Sequence, residues 1–271
     1  MYARTDLAIE SNLQQKGGVE GVFVKEKTEN GIKITTVDIK TEQAAKKLSK
    51  RVGRYVTFDV GDIAAGLTET DGAASIIAEE IKNMVGDFNS ALVIGVGNPN
   101  LTADALGPKT ADGVLATRHL KKDFLEKIGL TGLKSVAVLS PGVLGKTGME
   151  AVEIIKSVAK TAKPDVVIAV DALASADNER IGHTVQLSNT GISPGSGIGN
   201  KRREISEDTL SLPVIALGVP TVADFHTENR SFIVTMREID LLTNRAAELL
   251  SHALNFALQP NIERDVLLSL V

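Results

Sequence analysis

The sequence predicts an α/β fold, a doubly wound, mostly parallel sheet with an N-terminal β-rich extension. Three observations lead there. Two short apolar runs, ALVI at 91–94 and VVIAV at 166–170, are too short for helices and read as fully buried strands. From about Asp71 onward, stretches of helical period alternate with such runs, the pattern of a parallel sheet covered by helices. Ahead of them lie alternating segments joined by an Asn-Gly pair, a strong hairpin signal.

Taken in order, residues 22–27 and 32–39 are the two arms of that hairpin, turning at Asn30-Gly31. Thr41 is placed to cap a helix running to about Ser49. Residues 55–60 alternate, with Val56, Phe58 and Val60 on one face. The basic stretch Lys46, Lys47, Lys50, Arg51 reads as a solvated helix face rather than a nucleic-acid patch. Ile77, Ile81 and Met84 recur at helical spacing. The strand at 91–94 is broken by Gly95-Val96-Gly97-Asn98-Pro99. Asp104 then stands in a polar loop before a helix expected from Pro108 to about His119.

Residues 135–139 form the next strand, and 148–161 a helix with Val152, Ile155 and Ala159 on one stripe. The strand at 166–170 follows and delivers Asp171 at its C-terminal end. Residues 184–187 and 213–218 are further strands. Between them GISPGSGIGN, residues 191–200, is too rich in glycine for regular structure. An amphipathic helix over 238–258 closes the fold. The chain reads as one domain, 1–271, with a β-rich section at 1–65, an α/β core at 66–258 and a C-terminal tail at 259–271.

Composition narrows the function. Among 271 residues, 34 acids stand against 30 bases, a net charge of −4. With no global basic field, direct nucleic-acid binding is not expected. Aromatic residues make up 3% and Trp is absent, which leaves little for base stacking. No run of roughly 18 apolar residues suggests a membrane span, and the N-terminus lacks an apolar signal core. There is no cysteine, so disulfides, a thiol nucleophile and thiolate metal sites are excluded. That fits an intracellular protein.

The chemistry centres on Asp104 and Asp171. Open α/β sheets bind ligands outside the C-terminal ends of their strands, and both carboxylates are expected there. Two carboxyls brought close cannot both ionise cheaply, so one retains a proton. Such a pair can activate water with one member and donate a proton to a carbonyl with the other. From the pattern alone, each Asp is better read as a turn former or helix cap. The GVGN segment at 95–98 lacks a dinucleotide or Gly-Lys-Ser/Thr pattern and reads as a tight strand-to-loop turn. The glycine loop at 191–200 offers backbone N–H groups to a carbonyl or anion. Lys201, Arg202 and Arg203 after it either attract an acidic partner or face solvent. None of His119, His183, His226 and His252 forms a close ligand pair. His183 follows Asp171 and is a candidate to approach the site, where two Asp and a His would suit a divalent metal. No Gly-x-Ser-x-Gly elbow is present.

Eight segments resemble one family. They are ARTDLAIE from Ala3, GRYVTFD from Gly53, VGNPNLTADALGPK from Val96 and TRHL from Thr117. They continue with PGVLGKTGME from Pro141, PDVVIAVDALAS from Pro164, GISPGSGIGNKRREIS from Gly191 and LPVIALGVPTVAD from Leu212. In this order, over most of the chain, they resemble the germination proteases of spore-forming bacteria. The resemblance implies an endopeptidase that degrades small acid-soluble spore proteins during germination. It implies an atypical aspartic peptidase without a cofactor, whose two catalytic aspartates fall on Asp104 and Asp171. Lys109 is a supporting candidate for charge, and Gly195, Ser196, Gly197 and Gly199 for oxyanion stabilisation.

The same resemblance implies a fold similar to hydrogenase maturation proteases, which coordinate a metal near a comparable loop and strand-terminal Asp. The alternatives are therefore a metal-dependent peptidase with Asp104, Asp171 and His183 as ligands, and a non-catalytic protein that binds spore proteins. The family implies a cytoplasmic location in the forespore or spore core, no membrane partner, a homotetramer and a zymogen. Its propeptide is removed just before the segment resembling ARTDLA. Only Met1 and Tyr2 precede that segment here, so a mature form or a nearly absent propeptide is expected. A long stretch that the family usually carries after the segment like VPTVAD is also absent, since FIVTMREID follows within a few residues.

Overall fold

The computed structural model describes residues 4–15, 17–66, 70–127, 130–196, 199, 202–226 and 231–270. The chain opens with α1 (Ala8–Leu13), the hairpin β1 (Val22–Glu29) and β2 (Ile32–Ile39), α2 (Glu42–Leu48) and β3 (Gly53–Asp59). Then come α3 (Thr70–Val85), β4 (Ser90–Gly95), α4 (Leu106–Asp112), α5 (Lys122–Lys127), β5 (Ser135–Leu139), α6 (Leu144–Thr147) and α7 (Ala151–Ala162). The last part is β6 (Val166–Ser175), β7 (Thr184–Ser188), α8 (Glu207–Leu210), β8 (Val214–His226), β9 (Ser231–Val234), α9 (Ile239–Leu258) and α10 (Arg264–Leu268).

The strands form one mixed sheet in the order β1-β2-β3-β7-β8-β6-β4-β5, with β9 on β8. The run β8-β6-β4-β5 is parallel. The β-rich N-terminal section joins it through antiparallel β3–β7 and β7–β8 pairs, so it is the edge of the main sheet. At the hairpin, Asn30 and Gly31 have φ of 47° and 81°, the twist that a two-residue turn needs. The Thr41 hydroxyl accepts from Ala44 N–H and caps α2.

The two-residue period of a strand sorts the core into two layers. Val93, Ile168 and Val170 face α3 and α9. Leu92, Ile94, Val167 and Ala169 face α7, through Val152, Ile155 and Ala159. The chain order places β5 on one side of β4 and β6 on the other. That is a topological switch point, where open sheets leave a crevice.

Four expectations change. The helix expected over 108–119 is α4, which starts at Leu106 and ends at Asp112. Beyond Gly113, Thr117 takes sheet-like bonds instead: its N–H donates to Val136 O, and Val136 N–H donates to its hydroxyl. Second, the helix expected over 148–161 begins only at Ala151. Third, Asp171 does not end its strand. β6 continues to Ser175 along β8, and only its pairing with β4 stops, at Gly95–Val170. The stretch after Leu258, expected as a tail, forms α10, whose Leu267 is buried in the core.

Candidate active site at the β4–β6 crevice

The site exists because β4 turns away one residue before Asp171. Val96 N–H donates to Val170 O, and the chain then leaves the sheet. Asp171 keeps a strand neighbour only in Gly218 of β8. Two glycines make the turn possible. A Cβ on Gly97, at φ +127°, would lie 2.0 Å from Asp104 O. A Cβ on Gly107 would lie 2.1 Å from Val96 O and 2.5 Å from Val170 O. These close approaches let α4 sit directly on the ends of β4 and β6.

Asp104 closes a 3₁₀ turn, Thr102–Asp104. Two hydroxyls from neighbouring elements hold that turn. Thr221 of β8 donates to Ala103 O at 2.6 Å, and Thr243 of α9 donates to Thr102 O at 3.2 Å. Asp104 Oδ2 accepts from Asn98 N–H at 2.8 Å. Asp171 Oδ1 accepts from the next N–H, Ala172, at 2.9 Å.

Both carboxyls line one cleft of ≈ 440 Å³. By strand parity Asp171 shares the α7 side of Val167 and Ala169, and Leu144, Glu150 and Ala151 of that layer line the cleft. Pro194, Gly195, Arg202 and Arg203 line it from the glycine loop, and Ile233 and Val234 from β9. Burial raises the Asp104 pKa, with the Asn98 N–H opposing. Asp171, only 4% exposed, is pushed well above the usual carboxylate range. Burial is the largest cause, then the negative charges of Asp104 and Asp6. A carboxyl that resists ionisation beside a second one can hold the proton that acid catalysis needs.

Asp6 was not singled out by sequence reasoning. Its Oδ2 accepts from Ala174 N–H at 2.9 Å, and its Oδ1 accepts from the Ser196 hydroxyl at 2.7 Å. It lines both the cleft and a neighbouring cavity of ≈ 280 Å³. The segment around it is strapped to the sheet. Ala8 N–H donates to Gln186 Oε1, Gln186 Nε2 donates to Asp6 O, and buried Glu10 accepts from Ala176 and Asp177 N–H. The one sequence signal was its place in the ARTDLAIE segment.

The other expected residues divide. Gly195 lines the cleft. Ser196 instead binds Asp6 and lines the neighbouring cavity. Gly199 packs against the Arg4 guanidinium, away from the cleft lining. Gly197 and Lys201 lie outside the described residues. Lys109 is not at the site: its Nζ donates to Asn244 Oδ1 of α9 at 2.6 Å. Gly107 faces the strand ends, and two residues further round a helix points roughly the opposite way. His183 is not among the cleft-lining residues, and its Nδ1 lies 2.8 Å from Ile181 O. Among the described residues, no group of three or more His, Cys, Asp or Glu is arranged to hold a metal ion. Arg203 pairs with Glu153 at 3.1 Å, whereas Arg202 lines the cleft half-buried.

A family model described as germination protease matches residues 3–231. A germination protease of Clostridium tetani is 37% identical over 317 aligned residues, covering 98% of each chain. One of Clostridium perfringens is 38% identical over 320, covering 97% of each. Both alignments are longer than this chain, so those relatives carry residues inserted relative to it. The germination protease of Priestia megaterium is 44% identical over 236 residues, 82% of this chain and 63% of that one. Among solved structures, the [NiFe] hydrogenase maturation protease HycI of Thermococcus kodakarensis aligns with 65% of this chain and 98% of its own. Its TM-score is 0.37 at 17% identity, a likeness too slight to bear on the site. The match over residues 3–231, with relatives aligned along nearly their whole length, establishes that the chain belongs to the germination protease family.

Proposed function

We propose that this peptidase is an endopeptidase that begins the breakdown of small acid-soluble spore proteins during germination. Asp104 and Asp171 act as one dyad. One carboxylate takes a proton from the attacking water, and its protonated partner donates to the oxygen of the scissile carbonyl. The observation that carries the reading is the pair itself. Two carboxyls line one cleft, burial raises both, and the charge of Asp104 further raises Asp171. The cleft lining is largely apolar beside the two carboxyls, which suits an extended peptide. Gly195 lines the cleft, which supports its backbone N–H as the candidate donor to a developing oxyanion. The spore-core location and homotetramer follow from the family resemblance.

The test is to incubate the purified chain with a small acid-soluble spore protein, with and without chelator, and follow products by mass spectrometry. Internal cleavage that survives chelation, with substrate in excess, is expected. Stoichiometric binding without turnover contradicts an enzyme. Activity lost on chelation and restored by one metal contradicts the metal-free dyad.

A further inference from the structure

We propose that Leu101 and Ile233 are specificity-determining residues of this peptidase, forming a subsite beside Asp104 for a bulky apolar side chain next to the scissile bond. The inference rests on the cleft being the peptide site. Both residues line that cleft. Leu101 is 57% exposed and Ile233 53%, whereas Val96, Leu173 and Ala174 of the same lining are buried. Single exposed apolar side chains are ordinary on a protein surface. Two in one cleft, beside two carboxyls, leave hydrocarbon uncovered where a peptide would lie. An apolar side chain docked on them releases water from both partners. A polar one would lose its water without replacement.

The fold holds the two residues on one frame. The Leu101 carbonyl accepts the Asp104 N–H at 2.8 Å, and the Leu101 N–H donates to Asn98 O at 3.1 Å. Leu101 is thus bonded through its backbone to the turn that carries Asp104. Ile233 comes from β9, where it stands opposite Asp224 of β8. Opposite residues in a ladder share a face. Val222, two residues back on that face, also lines the cleft. Phe232, exposed as well, takes the other face and is not among the cleft-lining residues. Two hydroxyls tie the end of β9 to the Asp104 turn. Thr235 donates to Thr221 O at 2.6 Å, and Thr221 donates to Ala103 O at 2.6 Å. A subsite on such a frame discriminates by volume, because a small side chain leaves part of it unfilled.

The probes are overlapping peptides of a small acid-soluble spore protein and, for each, copies with one bulky apolar residue changed to alanine. The parent should cleave beside such a residue, and its change to alanine should cut kcat/KM about 10-fold or more. That factor should shrink about 3–10-fold in Leu101→Ala and in Ile233→Ala. Phe232→Ala should leave it unchanged. All three side chains are exposed, so melting temperatures should stay near that of the parent. A merely structural role would slow all peptides alike and leave the factor intact. No preference for a bulky apolar residue in the parent would overturn the proposal. So would a parental factor in both Leu101→Ala and Ile233→Ala, or an equal loss in Phe232→Ala. Binding of the same peptides, labelled and followed by fluorescence anisotropy, separates this claim from the endopeptidase reading. If the chain binds without cleaving, that reading fails, and the same factor, read as a ratio of Kd values, decides the subsite. Peptides that neither bind nor react overturn both.

Discussion

The Asp104 charge bears on Asp171 across the cleft that both residues line, and it adds to the burial that already raises the Asp171 carboxyl. The turn of β4 creates this relationship. Because the chain leaves the sheet after Gly95, the Asp171 side of β6 opens to the loop that carries Asp104. The local hydrogen bonds from Asn98 and Ala172 N–H oppose the upward shift without being its largest cause.

Asp171→Asn should stabilise the fold at neutral pH. The folded Asp171 pKa lies above its unfolded value of about 3.9, so the native state binds the extra proton between the two. Its stabilising contribution is complete below the unfolded value and is lost as pH rises through the folded one. The variant, neutral at every pH, should melt higher than the parent near pH 7, by about 2–4 °C for each kcal/mol relieved. The gap should close as pH falls toward 4. A variant that melts lower than the parent at pH 7 contradicts the burial argument.

Cleavage should follow a bell in pH, since the proposed dyad would work with one proton bound. Asp6 contributes negative charge to Asp171. Asp6→Asn should therefore move the alkaline limb to lower pH, while Ser196→Ala leaves it in place. The readout is kcat/KM across pH. An alkaline limb that stays fixed in Asp6→Asn would show that its charge is not felt at the dyad.

Gly97→Ala should damage the site more than the fold. The added Cβ meets Asp104 O at a φ of +127°, a conformation costly for alanine by about 1–3 kcal/mol. Displacing the Asp104 turn by an ångström is expected to cut kcat/KM by ~10²-fold. Parental activity in a folded Gly97→Ala protein would mean that the turn tolerates rearrangement.

Lys109→Met should leave cleavage within about twofold of the parent. Its bond is to Asn244, outside the cleft, so the loss should appear as about 0.5–1.5 kcal/mol of stability. A large fall in kcat/KM without a fall in melting temperature would return Lys109 to the site.

Local chemistry explains what was legible. Asp104 and Asp171 each follow a short apolar strand, and the glycines after β4 signal a sharp turn. The Asn30-Gly31 hairpin and the Thr41 cap were equally readable, because the relevant partners lie within a few residues. Asp6 was not, since its partners Ala174 and Ser196 are 168 and 190 residues away. Only the sheet order brings them together. Lys109 was misplaced because nearness to Asp104 in sequence says nothing about helix face. The continuation of β6 past Asp171 depends on β8, which extends to His226 and supplies a partner.

The central claim is tested most directly by cleavage of a small acid-soluble spore protein by Asp104→Asn and Asp171→Asn, each confirmed as folded by its melting transition. The account predicts that each variant loses on the order of 10²–10⁴-fold in kcat while still binding substrate. Either variant cleaving at the parental rate would contradict it.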